Sequence, residues 1–417
     1  MFRRHSSWLL TLIGTGALLF LSSCGKTKIV EVPVIQEKIV VETKTVIEKP
    51  PLPSRAIDYS DTPDDVVKLY NGFQVRTSME AGEGDRAAVE RKDKGAYEIE
   101  YKLKLRIPKP NESLEDLASL NERLPAILPG LSAMISTAKV SGFYHRLYDL
   151  KVTRVKQNLT RLKKVLSRHN FFDCETVLEL LHPETQQRAL LIQGEMDVVS
   201  DGSDGDRSPE LDDYISKSPY YQPFTSYGWS KRTDQPNPLL ARYEQRLADA
   251  KAKGKSTREI QLQITDLKSR SFLIARKDPF VVIPLSFLRY QNKTPYGPTI
   301  GDYCVVIHED RVYPAILGDA GPSFKSGEAS LRMAQEISKK ASPYNRPVSE
   351  LTVTYIIFPQ TCENPKGPPD LEKWHQRCEE YLGKIGGLGT GYQLHVWEDL
   401  FAKEAAEKAA AAAPALQ

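Results

Sequence analysis

Thiol and imidazole chemistry has little material in this chain: 417 residues carry only 5 Cys and 7 His. No Cys-x-x-Cys pair occurs and the histidines show no metal-ligand spacing, which argues against a zinc or redox centre. No metal and no cofactor are therefore expected. An excess of one charge is also absent, with 57 Lys plus Arg against 54 Asp plus Glu. Without a long basic run the electrostatic footprint of a nucleic-acid-binding protein is missing. Long apolar runs are confined to Trp8–Leu21, which is too short and wrongly flanked for a membrane span.

That apolar run follows Arg3 and Arg4 and ends in Leu21-Ser22-Ser23-Cys24, which resembles a bacterial lipobox. The expectation is a signal peptide over 1–23 and a lipid on Cys24, the alternative being a single anchored helix. A lipid tethers a protein to a membrane surface without making it span the bilayer. Gly25, rather than Asp, follows the cysteine, so cell-envelope localisation is expected, in the outer membrane of a Gram-negative cell. Residues 24–56 alternate Val and Ile with Lys and Glu, and carry Pro33, Pro50, Pro51 and Pro53. They read as an extended tether, with a two-stranded coil or a short strand as the alternative.

Residues 57–170 read as an N-terminal α+β region. Tyr97 to Ile107 alternates as a strand, and Val155, Leu159, Leu162 and Leu166 recur at helical spacing. Residues 171–360 read as a β-rich domain with strands near Cys174–Leu181, Arg188–Ile192, Phe280–Phe287, Tyr303–His308, Val312–Leu317 and Leu351–Phe358. Pro314 is tolerable in its strand only where that strand is an edge. A helical insertion at 238–272 contains two amphipathic stretches separated by Gly254, with Ser256-Thr257-Arg258-Glu259 as a capping box. Residues 361–417 read as a C-terminal extension ending in an Ala-rich tail. Cys362 and Cys378 flank a Pro-rich loop. A bridge between them would stabilise by roughly 3 kcal/mol; free buried thiols are the alternative.

Chemistry concentrates in Gly318-Asp319-Ala320-Gly321-Pro322-Ser323-Phe324-Lys325-Ser326-Gly327-Glu328-Ala329-Ser330. Two carboxylates stand at either end of a loop that Gly and Pro make tight and stiff. Such a pair is what glycosidic bond cleavage needs, one group as general acid and the other as base or nucleophile. Asp197, Asp201, Asp204 and Asp206 form a local acidic cluster suited to a cationic polymer; a solvated turn, or a weak Ca²⁺ loop whose Asp spacing fails the EF-hand pattern, is the alternative. Tyr227 and Trp229 are candidates for stacking on sugar rings, with core packing as the alternative.

Several segments taken in order resemble glycoside hydrolase family 75, the chitosanases. They are Gln193-Gly194-Glu195-Met196-Asp197-Val198, Asp201-Gly202, Thr225-Ser226-Tyr227-Gly228-Trp229, Pro279-Phe280-Val281-Val282-Ile283-Pro284, Gly318-Asp319 and Gly327-Glu328-Ala329-Ser330. The resemblance implies endo-acting, inverting hydrolysis of β-1,4-linked glucosamine polymers, with Asp319 and Glu328 as the essential carboxylates. Glu328 as acid and Asp319 as base is the favoured assignment, and sequence leaves the reverse open. Asp197, Asp201, Tyr227 and Trp229 are expected to contact substrate. The loop after Gly318 also resembles the aspartate-glycine-proline turn of double-psi β-barrels. The expected fold is thus mixed α+β, a double-psi-like β-barrel core with a helical hairpin insertion and flanking helices. The expected partner is chitosan or a related amino-sugar polymer, with the membrane reached through lipid alone, no nucleic acid, and a monomeric chain. The competing class is a non-catalytic envelope module that binds peptidoglycan or another amino-sugar glycan.

Overall fold

The computed structural model describes residues 42–44, 85–93, 100–102, 107–161, 163, 172–208, 210–211, 213–218 and 221–412. The leader, Cys24 and most of the tether lie outside the described residues. Within the tether, Glu42–Lys44 forms a short strand antiparallel to Glu100–Lys102, the alternative reading of that segment. Among the described residues no helix is long and apolar enough to cross a membrane.

The core is a closed six-stranded β-barrel in a mixed α/β setting. A first hairpin joins β1 (Cys174–Leu181) to β2 (Arg188–Val199) through a turn that places Gln186 at φ 58°. The other strands of the ring are β3 (Phe280–Pro284), β4 (Tyr303–His308), β5 (Arg311–Gly321), β6 (Glu328–Ser330) and β7 (Val348–Ile357). Around the ring the order is β6, β3, β5, β4, β7, β2, and the parallel pairing of β6 with β2 closes it. Closure removes the exposed strand edges of an open sheet. β2 is long enough to serve two neighbours on one side. Its first half pairs with β1, and Asp197 to Val199 run on to pair with β6.

Several sequence boundaries shift for physical reasons. The apolar run from Phe280 ends as a strand at Pro284, and Leu285–Leu288 turns into a short helix. β5 extends past Leu317 to Gly321 and lies inside the barrel between β3 and β4, so it is not an edge strand. Pro314 is accommodated because β3 reaches alongside only from Ile316 onward. At that level Trp397 covers the strand instead, its indole N–H donating to the Pro314 carbonyl at 2.8 Å.

Helices pack around the barrel. α1 (Gly142–Thr160) buries Phe143, Tyr144, Leu147, Tyr148, Lys151 and Val155, one stripe at three- and four-residue spacing. Each of its apolar members is worth about 1.5–3 kcal/mol when fully buried. Leu117, Leu124 and Ile127, upstream of α1, share a continuous core with the barrel strands. The inserted hairpin is α2 (Leu240–Ala252) and α3 (Arg258–Ser269), with Gly254 at φ +60° between them. Leu239, Tyr243, Ile264 and Leu267 give the hairpin its own small core. The expected capping box is not formed, because Thr257 caps α3 without a side-chain hydrogen bond. After the barrel helix α4 (Leu331–Ile337), α5 (Leu371–Lys384) lies on β4 and β5. Its Cys378 thiol faces the carbonyls of Cys304 and Ala315 at 3.3 and 3.6 Å. Cys362 and Cys378 are free thiols, so the bridge considered for them is not made. The Ala-rich end is the helix α6 (Leu400–Ala412), held by Phe401 against the Arg207 guanidinium at 4.7 Å.

Candidate active site

One row across four adjacent strands gathers the expected carboxylates. Asp319 on β5 and Glu328 on β6 are both in register with Val282 on β3, and Glu328 is in register with Asp197 on β2. Laterally paired residues share a face, and strands lie about 4.8 Å apart. The backbones of Asp319 and Glu328 are therefore about 10 Å apart with Val282 between them. The row opens into a cleft of about 730 Å³ that Asp201, Gln222 and the segment Pro343 to Arg346 also line.

Asp319 reaches this face because β5 bulges at Gly318, where the pairing with β3 shifts between Leu317 and Asp319. A bulge re-aims the side chain that follows it. Only glycine fits there, since a Cβ on residue 318 would stand 2.5 Å from the Phe280 ring. The Tyr227 N–H fixes the bulge by donating to the Gly318 carbonyl at 2.8 Å. Asp319 is 8% exposed. Its Oδ1 accepts from the Ser226 amide (2.8 Å), the Ser226 hydroxyl (2.6 Å) and the Ala320 amide (2.7 Å). Burial nevertheless raises its pKa above the usual carboxylate range, and the nearby charge of Glu328 adds to the effect.

Glu328 is paired differently. The Lys325 ammonium lies 2.6 Å from Glu328 Oε1 and 2.7 Å from Asp197 Oδ2, bridging the two carboxylates. Burial pushes Asp197 upward, but the Lys325 charge and hydrogen bond outweigh it, leaving the group below its ordinary value. Gly327 at φ +75° makes the approach, where a Cβ would collide with the Glu195 carbonyl. Among the described residues no cation pairs with Asp201. Its Oδ1 accepts from the Gln222 amide at 2.7 Å. Burial, reinforced by Asp319 and Glu328, pushes it up to about 8.

The acidic cluster therefore divides. Asp197 and Asp201 face the cleft, whereas Asp204 and Asp206 serve the fold. Asp204 is fully buried against Arg207 at 2.5 Å, and Asp206 binds the Arg232 amide and the Thr233 hydroxyl. Tyr227 and Trp229 are 7% and 5% exposed, belong to the main core and do not line the cleft. The structure places both in the core rather than on the cleft wall: the Tyr227 N–H holds the Gly318 carbonyl, and the Trp229 ring lies 5.1 Å from the Arg207 guanidinium.

Other cleft residues were not singled out in sequence. Lys325 stands three positions before Glu328, and that spacing within the loop was its only signal. On the far wall, Arg346 Nε lies 3.2 Å from the buried Glu195. Tyr344 meets Tyr214 edge-to-face with ring centres 5.4 Å apart. These contacts join segments distant in sequence, and no local pattern announces them.

Residues 196–390 match the family model described as fungal chitosanase of glycosyl hydrolase group 75. The match contains Asp197, Asp201, Asp319, Lys325 and Glu328, and begins after α1 and β1. No curated protein matches the chain.

Proposed function

We propose that the chain is an endo-acting, inverting chitosanase-like enzyme cleaving β-1,4-linked glucosamine polymers, on the support of the match of residues 196–390 to the glycosyl hydrolase group 75 model. The observation that carries this reading is the transverse row of Asp319 and Glu328 with one strand between them. Inversion needs carboxyl groups about 6.5–9.5 Å apart, with room for a water on the far face of the sugar. Backbones about 10 Å apart, with side chains projecting into one cleft, suit that spacing.

The surroundings favour Asp319 as acid, the reverse of the assignment expected from sequence. Its Oδ1 is occupied by three donors and burial favours the protonated form, so Oδ2 is the oxygen to carry a proton to the leaving group. Glu328, ion-paired as a carboxylate with Lys325, is suited to draw the proton from the attacking water. The proton moves from Asp319 to the departing glycosidic oxygen, the water oxygen bonds to the anomeric carbon, and Glu328 keeps the water's proton. Asp197 places a further carboxylate where a polycation passes, and Asp201, which keeps its proton up to about pH 8, offers a hydroxyl donor beside it. We also propose that a lipid on Cys24 holds the enzyme in the cell envelope, outer-membrane in a Gram-negative cell; the support is the Leu21-to-Cys24 segment.

Reducing-end release from fully deacetylated chitosan by the full-length chain, beside Asp319→Asn and Glu328→Gln, tests the reading. Each substitution should lower turnover by about 10²–10⁴-fold. Cleavage undiminished in Glu328→Gln would refute the mechanism. Glycan binding by the wild type without any reducing ends would instead support the envelope-binding alternative.

A further inference from the structure

The loop that carries Lys325 is gripped from behind by α1, which lies outside the family match. The apolar stripe of that helix contains one cation, Lys151, whose side chain is 1% exposed. Its Nζ stands 2.7 Å from Oδ1 of Asp173, itself 0% exposed, and donates to the Phe324 carbonyl at 2.6 Å. Asp173 Oδ2 accepts from the Ser326 amide at 3.2 Å. One turn further along α1, the Arg154 guanidinium lies 3.8 Å over the Phe324 ring. The buried pair thus holds backbone groups of Phe324 and Ser326, the residues on either side of Lys325.

We propose that Lys151 and Asp173 are positioning residues for the Asp197–Lys325–Glu328 bridge, so that α1 is part of the catalytic apparatus. The inference rests on the glycosidase reading of the cleft. Its physical basis is the cost of the pair. Burying a lysine and an aspartate is commonly no more stabilising than burying apolar residues of the same volume. A methionine at 151 would continue the stripe of Phe143, Leu147 and Val155, but it could not bind the Phe324 carbonyl. What the ion pair supplies, and an apolar pair cannot, is a fixed loop backbone. Lys325 must meet two carboxylate oxygens at 2.6 and 2.7 Å, and small displacements at such a site cost large factors in rate.

The test compares the full-length wild type with Lys151→Met and Lys151→Met/Asp173→Asn. The single variant should lose at least about tenfold in kcat on deacetylated chitosan while KM stays within about twofold. Amide hydrogen exchange over 324–327 should quicken by about tenfold or more, with β4 unaffected. The double variant removes the unpaired buried carboxylate, so its Tm should recover while kcat stays low. Recovery of kcat together with Tm would reduce the pair to a stabilising role and overturn the proposal, as would unchanged loop exchange in Lys151→Met. A wild type that cleaves no glycan would defeat the enzymatic reading, and the loss of catalytic positioning with it. The exchange measurement would still report whether α1 fixes the loop.

Discussion

Replacing Asp201 by asparagine should stabilise the protein in alkaline solution and leave it unchanged in acid. Asp201 titrates near pH 3.8 when unfolded and is pushed up to about 8 in the folded cleft by burial, with Asp319 and Glu328 adding like charge. Between those values the native state holds a proton that the unfolded chain has released. Stability is therefore complete below the unfolded pKa and is lost as pH rises through the folded one. A gap of about four pH units at ~1.4 kcal/mol each makes the full loss about 6 kcal/mol. The substituted amide keeps an oxygen to accept from the Gln222 N–H and cannot ionise. The variant and wild type should melt together near about pH 3, below the unfolded pKa, and the variant should melt about 10 °C higher near about pH 9. Thermal unfolding by circular dichroism at half-unit pH steps reads this directly. A Tm difference that is constant across that range would refute the assignment of a buried, proton-holding carboxyl to Asp201.

Gly318→Ala drives a methyl into the Phe280 ring 2.5 Å away and should cost about 1–3 kcal/mol. It should also displace Asp319, so activity should fall further than the folded fraction, measured by urea titration beside initial rates. Lys325→Met leaves Asp197 and Glu328 adjacent without their shared cation. Two close carboxylates do not ionise together readily, so the acidic limb of the pH–rate profile should move to higher pH; an unmoved limb would count against the bridge. Radiolabelled palmitate should be incorporated by cells expressing the chain and lost in Cys24→Ala. Equal labelling of the two would remove the lipid-anchor proposal.

Sequence alone determined the parts whose causes are local. The runs Cys174 to Leu181 and Tyr303 to His308 match their strands end to end, because apolar residues bounded by turn formers specify an extended segment wherever it packs. The same holds for α2 and α3, whose stripes and intervening Gly254 need no distant partner to be recognised. The pair Asp319 and Glu328 was legible because both lie on one Gly- and Pro-rich loop. Tertiary structure decided the rest. Closure of β6 on β2 brought Asp197 beside Glu328 from a distant part of the chain, and the Gly318 bulge turned Asp319 toward them. Burial separated Asp201 from Asp204, neighbours of one composition: the first faces the cleft with no cation paired to it among the described residues, the second is consumed by Arg207. It also withdrew Tyr227 and Trp229 into the core and set Lys151 behind the loop that carries Lys325. Residue type fixes what a side chain is able to do, but its charge state and its partner depend on water exclusion and on contacts that exist only once the barrel has closed.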